Sequence, residues 1–297
     1  ICVLMFLCFN GFMFYAKKSL GQNFLKSSEI LDIIIETSDL QKEDVVLEVG
    51  PGKGCLTEKL LEKSNSVIAI EKDHRLIEFL QEKFIEELKS GKLTLIHNDI
   101  LELNINNKLL GSLASKYKVV ANIPYYITGK LIRKFLSSDF QPSQMILMLQ
   151  KEVAQRITST NLGVAPPSKK KDKESILSLS VKVYGEPEYI KTVSAKHFSP
   201  QPKVDSAILL INNISKEFFS DINEEEFFIL IRQAFSSKRK TLVNNLTSLT
   251  STETQTLQKS KEDLIKILEK LNISTKIRAE DLSLENWRDL YRNLYIK

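Results

Sequence analysis

Short hydrophobic runs alternate with amphipathic segments from residue 45 to about residue 150. The amphipathic segment DHRLIEFLQEKFIEELKS (73–90) repeats its apolar residues every three to four positions, which predicts a helix. The apolar runs are predicted to be buried strands: VVLEV (45–49), SVIAI (66–70), KLTLI (92–96), KVVAN (118–122) and QMILML (144–149). Strands that alternate with helices in this way are typical of an α/β fold with a parallel sheet covered on both faces.

Two further runs and a change of period complete the predicted fold. ILSLSVKVY (176–184) and SAILLIN (206–212) are predicted strands, and because no long helix separates them we expect an antiparallel edge on the same sheet. Beyond them the helical period dominates, in 223–246, 261–271 and 283–297. The sequence therefore predicts a Rossmann-like α/β domain with a seven-stranded, mostly parallel sheet over residues 17–215, followed by a small α-helical C-terminal domain over 216–297.

Two segments are expected to lie outside these elements. Residues 1–16 are apolar, but the stretch is shorter than the roughly 20 residues that a membrane-spanning helix needs, and it lacks the basic start and cleavage site of a secretory signal. We interpret it as a leader that is not part of the folded domain, with Met5 or Met13 as the start and a membrane anchor as the alternative. STNLGVAPPSKKKDKES (159–175) is predicted to be a mobile surface loop because of its Pro, Ser and Lys content.

Composition narrows the possible chemistry only a little. The 297 residues carry a net charge of +5 with a pI of about 8.9, which favours a polyanionic partner weakly. The three cysteines and three histidines are scattered without metal-ligand or disulfide spacing, so no metal site is predicted. Reduced thiols are typical of a cytoplasmic protein, and no membrane partner is expected.

The first predicted strand runs into a glycine-rich turn, EVGPGKGCL (48–56), with Gly50, Gly52 and Gly54. Glycines at a strand-to-helix turn let the backbone pass close to a ligand. The third glycine comes one residue too early for a nicotinamide dinucleotide fingerprint, so an oxidoreductase fits poorly. The spacing E-x-G-x-G-x-G instead resembles motif I of S-adenosylmethionine-dependent methyltransferases. A tight turn that binds no ligand is the plainer alternative.

Acidic residues follow the next two predicted strands. Glu71 comes about 20 residues after Gly50, where a ribose-binding carboxylate is expected in this class of fold. Asp99 follows the third strand and could accept a hydrogen bond from an adenine amino group. Each residue alone is more often a solvated acid at a strand end. Because the carboxyl ends of parallel strands meet at one edge of a sheet, however, we expect both residues and the glycine turn to border one crevice.

The fourth strand ends in Asn122-Ile123-Pro124-Tyr125 at the same edge. An adenine amine is a poor nucleophile because its lone pair is delocalised into the ring. The side-chain carbonyl of Asn122 and the backbone carbonyl of Pro124 could accept its two N–H bonds and aim the lone pair at a sulfonium methyl group. Tyr125 could stack on the base. Tyr126 is expected to pack behind the loop without touching the base.

Several motifs, in order, resemble the small-subunit (16S) ribosomal RNA adenine N6,N6-dimethyltransferase family of the KsgA type. N-[IL]-P-Y is motif IV of amino-methyltransferases that act on adenine. The other matching segments are KKSLGQNFL (17–25), LQKEVAQR (149–156), HFSPQPKVDSAIL (197–209), AFSSKRKTLVNNL (234–246) and IRAEDLSLENW (277–287). The resemblance therefore extends from residue 17 to residue 297.

This resemblance implies an activity and a set of residues. Family members use S-adenosylmethionine to dimethylate two adjacent adenosines near the 3′ end of 16S rRNA in the immature small ribosomal subunit, and a monomer is expected here. The cofactor contacts implied are Asn23, Leu25, Gly50, Gly52, Glu71, Asp99 and Asn122. The implied pocket for the target adenine is formed by Asn122, Pro124, Tyr125 and Phe198. For rRNA contact we nominate Lys203, Lys238, Arg239 and Lys240, although a basic triplet is usually only a solvated surface.

Some features depart from the family, and other functions remain open. Many members carry Asp where this chain has Ser27, which puts one early contact in doubt. The Lys-rich segment 159–175 puts local RNA contacts in doubt. The alternatives are the large-subunit rRNA adenine N6-methyltransferase of the macrolide-resistance type and a non-catalytic RNA-binding assembly or transcription factor. LQKEVAQR, PKVDSA and IRAEDLS favour the small-subunit group over the first, and the intact Asn-Ile-Pro-Tyr motif disfavours the second.

Overall fold

The computed structural model describes residues 15–105, 117–158, 173–247 and 259–295. Residues 1–14 of the predicted leader and 159–172 of the predicted surface loop lie outside the described residues. Within the described ranges, no helix combines the length and the apolar character needed to cross a lipid bilayer.

The chain divides into two compact units. The first contains Ile1–Ala154 and Glu186–Ile214, and the second contains Gln155–Gly185 and Ser215–Lys297. The second unit is therefore built from two separate stretches of sequence, one of which precedes the last strands of the first unit.

All nine strands of the described residues lie in the first unit. They are β1 (Phe24–Leu25), β2 (Val45–Val49), β3 (Ser66–Glu71), β4 (Leu93–His97), β5 (Tyr117–Asn122), β6 (Gln144–Gln150), β7 (Glu186–Val193), β8 (Phe198–Ser199) and β9 (Ser206–Asn212). Seven of them form one sheet in the order β4-β3-β2-β5-β6-β9-β7, and β1 pairs with β8 in a separate two-stranded ladder. The first five strands of the large sheet are parallel, whereas β9 and β7 are antiparallel to their neighbours. The predicted mostly parallel, seven-stranded sheet with an antiparallel edge is thus confirmed.

Helices account for most of the remaining regular structure. The α-helices in the described ranges are α1 (Ser28–Ser38), α2 (Cys55–Lys63), α3 (His74–Lys83), α4 (Ile85–Lys89), α5 (Thr128–Leu136), α6 (Lys151–Thr158), α7 (Ile176–Lys182), α8 (Glu224–Ala234), α9 (Leu242–Thr247), α10 (Lys261–Lys270) and α11 (Leu284–Tyr295). Short 3₁₀ helices span Lys18–Leu20, Tyr125–Ile127, Ala195–His197, Glu217–Phe219 and Ala279–Asp281. The single helix predicted over 73–90 is two helices, because the backbone departs from helical geometry at the buried Phe84.

The prediction of a strand over 176–184 is wrong. Its first seven residues form helix α7, and the edge strand of the sheet is β7, which begins at Glu186. Ser175 caps the helix in a capping box with Ser178, whose hydroxyl also donates to the buried carboxylate of Glu174 at 2.6 Å. Lys182 pairs with the same carboxylate at 2.7 Å. The alternating serines are therefore hydrogen-bonding positions in a helix, and their period of two does not mark an exposed strand face.

The order of the strands around β2 determines where a crevice forms. All five residues of β2 are buried, as expected of a parallel strand covered on both faces. From β2 the chain moves outward to β3 and β4, and it then returns to the other side of β2 with β5. The change of direction between β2 and β5 opens a crevice beyond the carboxyl ends of these strands.

The glycine turn between β2 and α2 packs closely against α3 and Phe84, and two glycine substitutions test this packing. Gly54 and Gly91 share a left-handed conformation, with φ values of 73° and 75°. A Cβ atom at Gly54 would lie 2.5 Å from Phe84, whereas a Cβ at Gly91 would meet no atom within 4 Å. We expect Gly91→Ala to reduce the free energy of unfolding by roughly 1–2 kcal/mol, the cost of the left-handed backbone. Gly54→Ala should cost about 1–3 kcal/mol more because of the clash. Urea denaturation of both variants measures the difference, and equal losses would contradict the tight packing of Gly54 on α3 and Phe84.

Candidate active site

The crevice at the carboxyl edge of the sheet brings together most of the residues predicted from the sequence. Its walls come from the segment before β1, the glycine turn, the ends of β3 and β5, and the loop after β4. The predicted residues that line it are Asn23, Gly50, Gly52, Glu71, Asp99, Asn122, Pro124, Tyr125 and Phe198. Leu25 lines an adjoining cavity, which shares Phe24, Gly50, Gly52 and Asn122 with the crevice.

The glycine turn forms the floor of the crevice. Gly50 and Gly52 have φ values of 72° and 58°, a conformation that residues with a side chain rarely adopt. A Cβ atom at Gly52 would lie 3.1 Å from the ring of Phe24, so the turn and the segment before β1 approach closely because this side chain is absent. The nearest atom to a Cβ at Gly50 would be the Asn122 carbonyl oxygen at 3.9 Å, which leaves room beside the turn.

Glu71 is buried at the end of β3, and its carboxylate is held by backbone groups. Oε1 accepts from the N–H of Lys72 at 2.9 Å and of Asp73 at 2.8 Å, and Oε2 accepts from the N–H of Gly52 at 3.3 Å. Burial raises the pKa of Glu71 above its ordinary value, while these three N–H groups act against the rise. The carboxylate is thus fixed as an acceptor at the crevice, as a ribose diol requires.

Asp99 lies beyond the end of β4 and is paired with a residue that the sequence analysis missed. Lys72 Nζ lies 2.6 Å from Asp99 Oδ2, and the N–H of Leu101 donates to Oδ1 at 2.9 Å. Burial opposes ionisation of Asp99, but Lys72 and Leu101 together hold its pKa below the ordinary value. Lys72 directly follows Glu71, and this position next to a predicted ligand was the only signal that could have indicated its role.

The side-chain amide of Asn122 is oriented by the segment before β1. Its Nδ2 donates to the Asn23 backbone carbonyl at 3.2 Å, which turns Oδ1 to the other side of the amide. The following loop is tied to β6, because the N–H of Ile123 donates to the Met148 carbonyl at 3.1 Å. The Pro124 carbonyl accepts from the N–H of Ile127 at 3.1 Å and retains a second lone pair.

Two tyrosines border the crevice in different ways. The Tyr125 hydroxyl lies 2.9 Å from Ser206 Oγ, which fixes the ring at the crevice wall, and burial raises its pKa. Tyr126 is 60% exposed and lines the crevice, so the prediction that it packs behind the loop is wrong. Tyr125 and Tyr126 begin a 3₁₀ helix, Tyr125–Ile127, whose backbone directs successive side chains apart. The sequence analysis treated the motif as the end of a strand and did not predict this helix.

The two-stranded ladder of β1 and β8 brings a predicted cofactor contact next to the predicted base-stacking residue. Leu25 in β1 pairs with Phe198 in β8, and the N–H of Lys26 donates to the His197 carbonyl at 2.8 Å. Phe198 is buried and lines the crevice. Ser27, where many family members have Asp, is the N-cap of α1, a position for which serine and aspartate are about equally suitable.

The acid of the glycine motif has a structural role. Glu48 is buried in β2 beneath the turn, and Thr57 Oγ1 of α2 donates to its Oε2 at 2.7 Å. Burial raises the pKa of Glu48 to about 8 from an ordinary value of 4.5. The side chain therefore holds α2 against β2 as a protonated acid at neutral pH.

The hydrogen-bond acceptors of the crevice fit a nucleoside, such as the adenosyl part of a sulfonium cofactor. Glu71 supplies a fixed acceptor for a diol, Asp99 and the Asn122 amide supply further acceptors, and the glycine turn leaves space between them. Among the described residues, no three His, Cys, Asp or Glu side chains are grouped so that they could hold a metal ion.

The four cations predicted to contact RNA lie in different units. Lys203 is exposed in the loop before β9 of the first unit. Lys238 and Lys240 line a cavity of about 450 Å³ within the second unit, and Arg239 is exposed beside them without lining it. Arg156 and Arg278, which the sequence analysis missed because they are distant in sequence, line the same cavity.

The raised pKa of Glu48 predicts a pH-dependent cost to stability. The unfolded chain releases this proton near pH 4.5 and the folded chain near pH 8, so the folded state binds more protons in between and is destabilised as pH rises. Glu48→Gln keeps the acceptor for Thr57 and removes the titration. We expect the stability of the variant relative to the wild type to increase between about pH 5 and 8, by at most about 1.4 kcal/mol per pH unit. Urea denaturation across this range measures it, and parallel pH profiles would show that Glu48 is ionised in the folded protein.

Known proteins resemble this chain over most of its length. Residues 13–289 match the family model described as ribosomal RNA adenine dimethylase. The chain is 40% identical over 280 residues to Ribosomal RNA small subunit methyltransferase A of Dehalococcoides mccartyi, covering 94% of this chain and 89% of that protein.

Solved structures show the same architecture. A dimethyladenosine transferase from Plasmodium falciparum superposes with a TM-score of 0.71 at 29% identity, covering 90% of this chain and 95% of that one. The 23S rRNA methyltransferase ErmE shares the fold, with a TM-score of 0.69 at 22% identity over 92% of this chain and 99% of that one. The resemblance drawn from the sequence motifs is confirmed: the chain belongs to the ribosomal RNA adenine dimethylase family.

Proposed function

We propose that this protein transfers methyl groups from S-adenosylmethionine to the N6 amines of two adjacent adenosines near the 3′ end of small-subunit (16S) rRNA. The observation that carries the proposal is the orientation of the Asn122 amide in the crevice that the buried acceptor Glu71 also lines. It unites an adenine-amine acceptor with a nucleoside site in one crevice. The similarity to a small-subunit methyltransferase supports this choice of RNA.

The chain's own residues would hold the cofactor at the glycine turn. Glu71 would accept from the ribose hydroxyls, and Asp99 would accept from the adenine amine of the cofactor. Asn23, just before β1, and Leu25, in β1, would close the site. When bound, the cofactor would supply a methyl group on a sulfonium centre, from which a neutral thioether departs readily. The protein's task is therefore to position the nucleophile.

Asn122 and Pro124 would prepare the target amine. In the first transfer, the Oδ1 of Asn122 and the second lone pair of the Pro124 carbonyl would accept its two N–H bonds, which would draw the nitrogen toward tetrahedral geometry. One of these protons would be released to solvent once the N–CH3 bond has formed. The rings of Tyr125 and Phe198 stack on the base and hold its plane. Because Nδ2 of Asn122 is bonded to the Asn23 carbonyl, the amide is ordered before the substrate arrives and loses little freedom on binding.

Asn122→Ala should abolish transfer, with a loss on the order of 100-fold or more because an oriented acceptor is removed. The assay uses labelled S-adenosylmethionine with immature small ribosomal subunits, and with large-subunit RNA in parallel. The matched control is Asn65→Ala, an exposed asparagine at the opposite, amino end of β3, which should retain wild-type activity.

The location of the label distinguishes the possible functions. Dimethyladenosine in small-subunit rRNA supports the proposal, and label in large-subunit RNA alone overturns the proposed substrate. If the wild type transfers no methyl group to either RNA, a binding factor becomes the better interpretation. The monomeric state and the cytoplasmic location stay predictions.

We further propose that the helical second unit contacts rRNA phosphates through its cationic cavity. The loop that carries Lys238 and Lys240 is held by the buried Asn245, whose Nδ2 donates to the carbonyls of Ala234 at 2.6 Å and Ser237 at 2.9 Å. Arg156, Lys173 and Arg278 line the same cavity, so five cations stand against the two carboxylates there, Glu174 and Glu280. A fixed array of cations suits a phosphate backbone, which is recognised mainly by charge. Lys203 and Arg239 stay as predicted RNA contacts.

The double variant Lys238→Ala/Lys240→Ala should weaken rRNA binding and reduce the salt dependence of its affinity. Each lost phosphate contact lowers the slope of log K against log salt by roughly 0.7–0.9, so a change of about 1.5 is expected. Filter binding between low and physiological salt measures it. Lys261→Ala/Lys266→Ala, which removes two exposed lysines of α10 outside the cavity, is the control. Equal slopes for both double variants would show that the cavity is not part of the RNA interface.

A further inference from the structure

The outer wall of the crevice is a segment with little regular structure of its own. We call residues 15–25 the strap. Five consecutive residues of it, from Leu20 to Phe24, line the crevice. Its regular structure consists of the short 3₁₀ helix Lys18–Leu20 and the two residues of β1. The position of the strap therefore depends on its attachments to the rest of the first unit.

One attachment is the ladder at the end of the strap, where β1 pairs with β8. The other is a buried carboxylate, Asp73, whose side chain is fully enclosed. Lys17 Nζ lies 3.2 Å from Asp73 Oδ1, and Gln22 Nε2 donates to Oδ2 at 2.9 Å. The backbone N–H of Lys17 donates to Gln22 Oε1 at 2.7 Å, so the two strap residues are also bonded to each other.

Arg75 completes the group around Asp73. Its guanidinium binds both carboxylate oxygens, with Nε 3.1 Å from Oδ1 and an Nη 2.6 Å from Oδ2. The same guanidinium donates to the Tyr15 carbonyl at 3.4 Å. Arg75 and the strap donors hold the pKa of Asp73 well below its ordinary range, so the carboxylate keeps its charge over the physiological range. Enclosed charges of this kind are stable only when they are fully paired.

Asp73 is also connected to the predicted ribose acceptor. Its backbone N–H donates to Glu71 Oε1 at 2.8 Å, and the second carboxylate oxygen of Glu71 receives the N–H of Gly52. The side chain of Asp73 does not line the crevice. It joins the strap on one side to the glycine turn and Glu71 on the other.

We propose that Asp73 is a positioning residue for the cofactor site: its enclosed carboxylate clamps the strap against the crevice, so that affinity for an adenosyl ligand depends on a side chain outside the crevice. This inference rests on the proposed use of S-adenosylmethionine. A strap that is ordered only part of the time would weaken binding in proportion to the ordered fraction. The clamp therefore contributes to affinity without touching the ligand.

Asp73→Asn tests the clamp selectively because the substitution keeps the second role of the residue, as a helix cap. Asp73 is the N-cap of α3, and asparagine caps a helix as well as aspartate does. The variant removes the charge that binds Lys17, Gln22 and Arg75 while it keeps the cap. We expect the dissociation constant for S-adenosylhomocysteine, measured by calorimetry without RNA, to rise roughly ten- to hundredfold, the range produced by losing charge-assisted hydrogen bonds. The KM for S-adenosylmethionine should rise similarly, with kcat at saturation close to that of the wild type.

Hydrogen exchange of the ligand-free protein separates a clamp from a merely structural role. In Asp73→Asn, exchange should increase in residues 17–25 and return toward the wild-type rate at saturating S-adenosylhomocysteine. Asp221→Asn is the matched control, since Asp221 also pairs with two cations, Arg288 and Arg292, but lies in the second unit. It should leave both the affinity and the strap exchange unchanged. Lys17→Met removes one donor of the clamp from the exposed side and should give a smaller effect of the same kind, even if Asp73→Asn folds poorly.

The outcomes are distinct. Wild-type affinity in Asp73→Asn, or weakened affinity with unchanged exchange of the strap, overturns the clamp. If the wild-type protein itself binds no S-adenosylhomocysteine, the proposed cofactor is wrong and the inference fails with it. If the wild type binds the ligand but methylates no RNA, the proposed substrate is rejected, while weakened affinity together with faster strap exchange in Asp73→Asn still supports the clamp.

Discussion

Three backbone N–H groups converge on the carboxylate of Glu71, and they belong to the glycine turn, the end of β3 and the first turn toward α3. A carboxylate buried at this depth would be costly without such donors. Because the donors come from the backbone, the carboxylate can be satisfied only when the turn and the strand end are both in place. The same hydrogen bonds that make burial tolerable thus fix the floor and one wall of the crevice relative to each other.

Further hydrogen bonds extend this arrangement to the rest of the crevice. The carboxylate of Asp73 accepts a hydrogen bond from Gln22 of the strap. The Asn23 carbonyl, also in the strap, accepts one from the Asn122 amide. The ladder of β1 with β8 then brings Phe198 to the crevice. A methyl transfer from a sulfonium needs little from the protein beyond geometry, so a network that leaves few side chains free to move is well suited to it.

Two of the wrong predictions have a common cause. Over 176–184 an alternating pattern indicates a strand, but Ser178 and Lys182 are satisfied by the buried Glu174, a contact that no periodicity argument contains. Tyr126 was expected behind its loop, yet the turn of the 3₁₀ helix leaves it exposed. In both places the outcome depends on partners or backbone angles that lie outside the local pattern. The roles of Lys72 and Asp73 were missed for the same reason, since each is defined by a residue distant in sequence.

The sequence by itself determined the parallel strands, one strand of the antiparallel edge, the glycine turn and the set of residues at the carboxyl edge, because burial of apolar runs and the stereochemistry of glycine act locally. Tertiary structure alone decided how those residues are oriented. The direction of the Asn122 amide, the enclosure of Asp73 and the protonation of Glu48 each depend on atoms brought close by the fold. Hydrogen bonds and desolvation act over a few ångströms in space, and separation along the chain does not reveal which groups will meet at that distance.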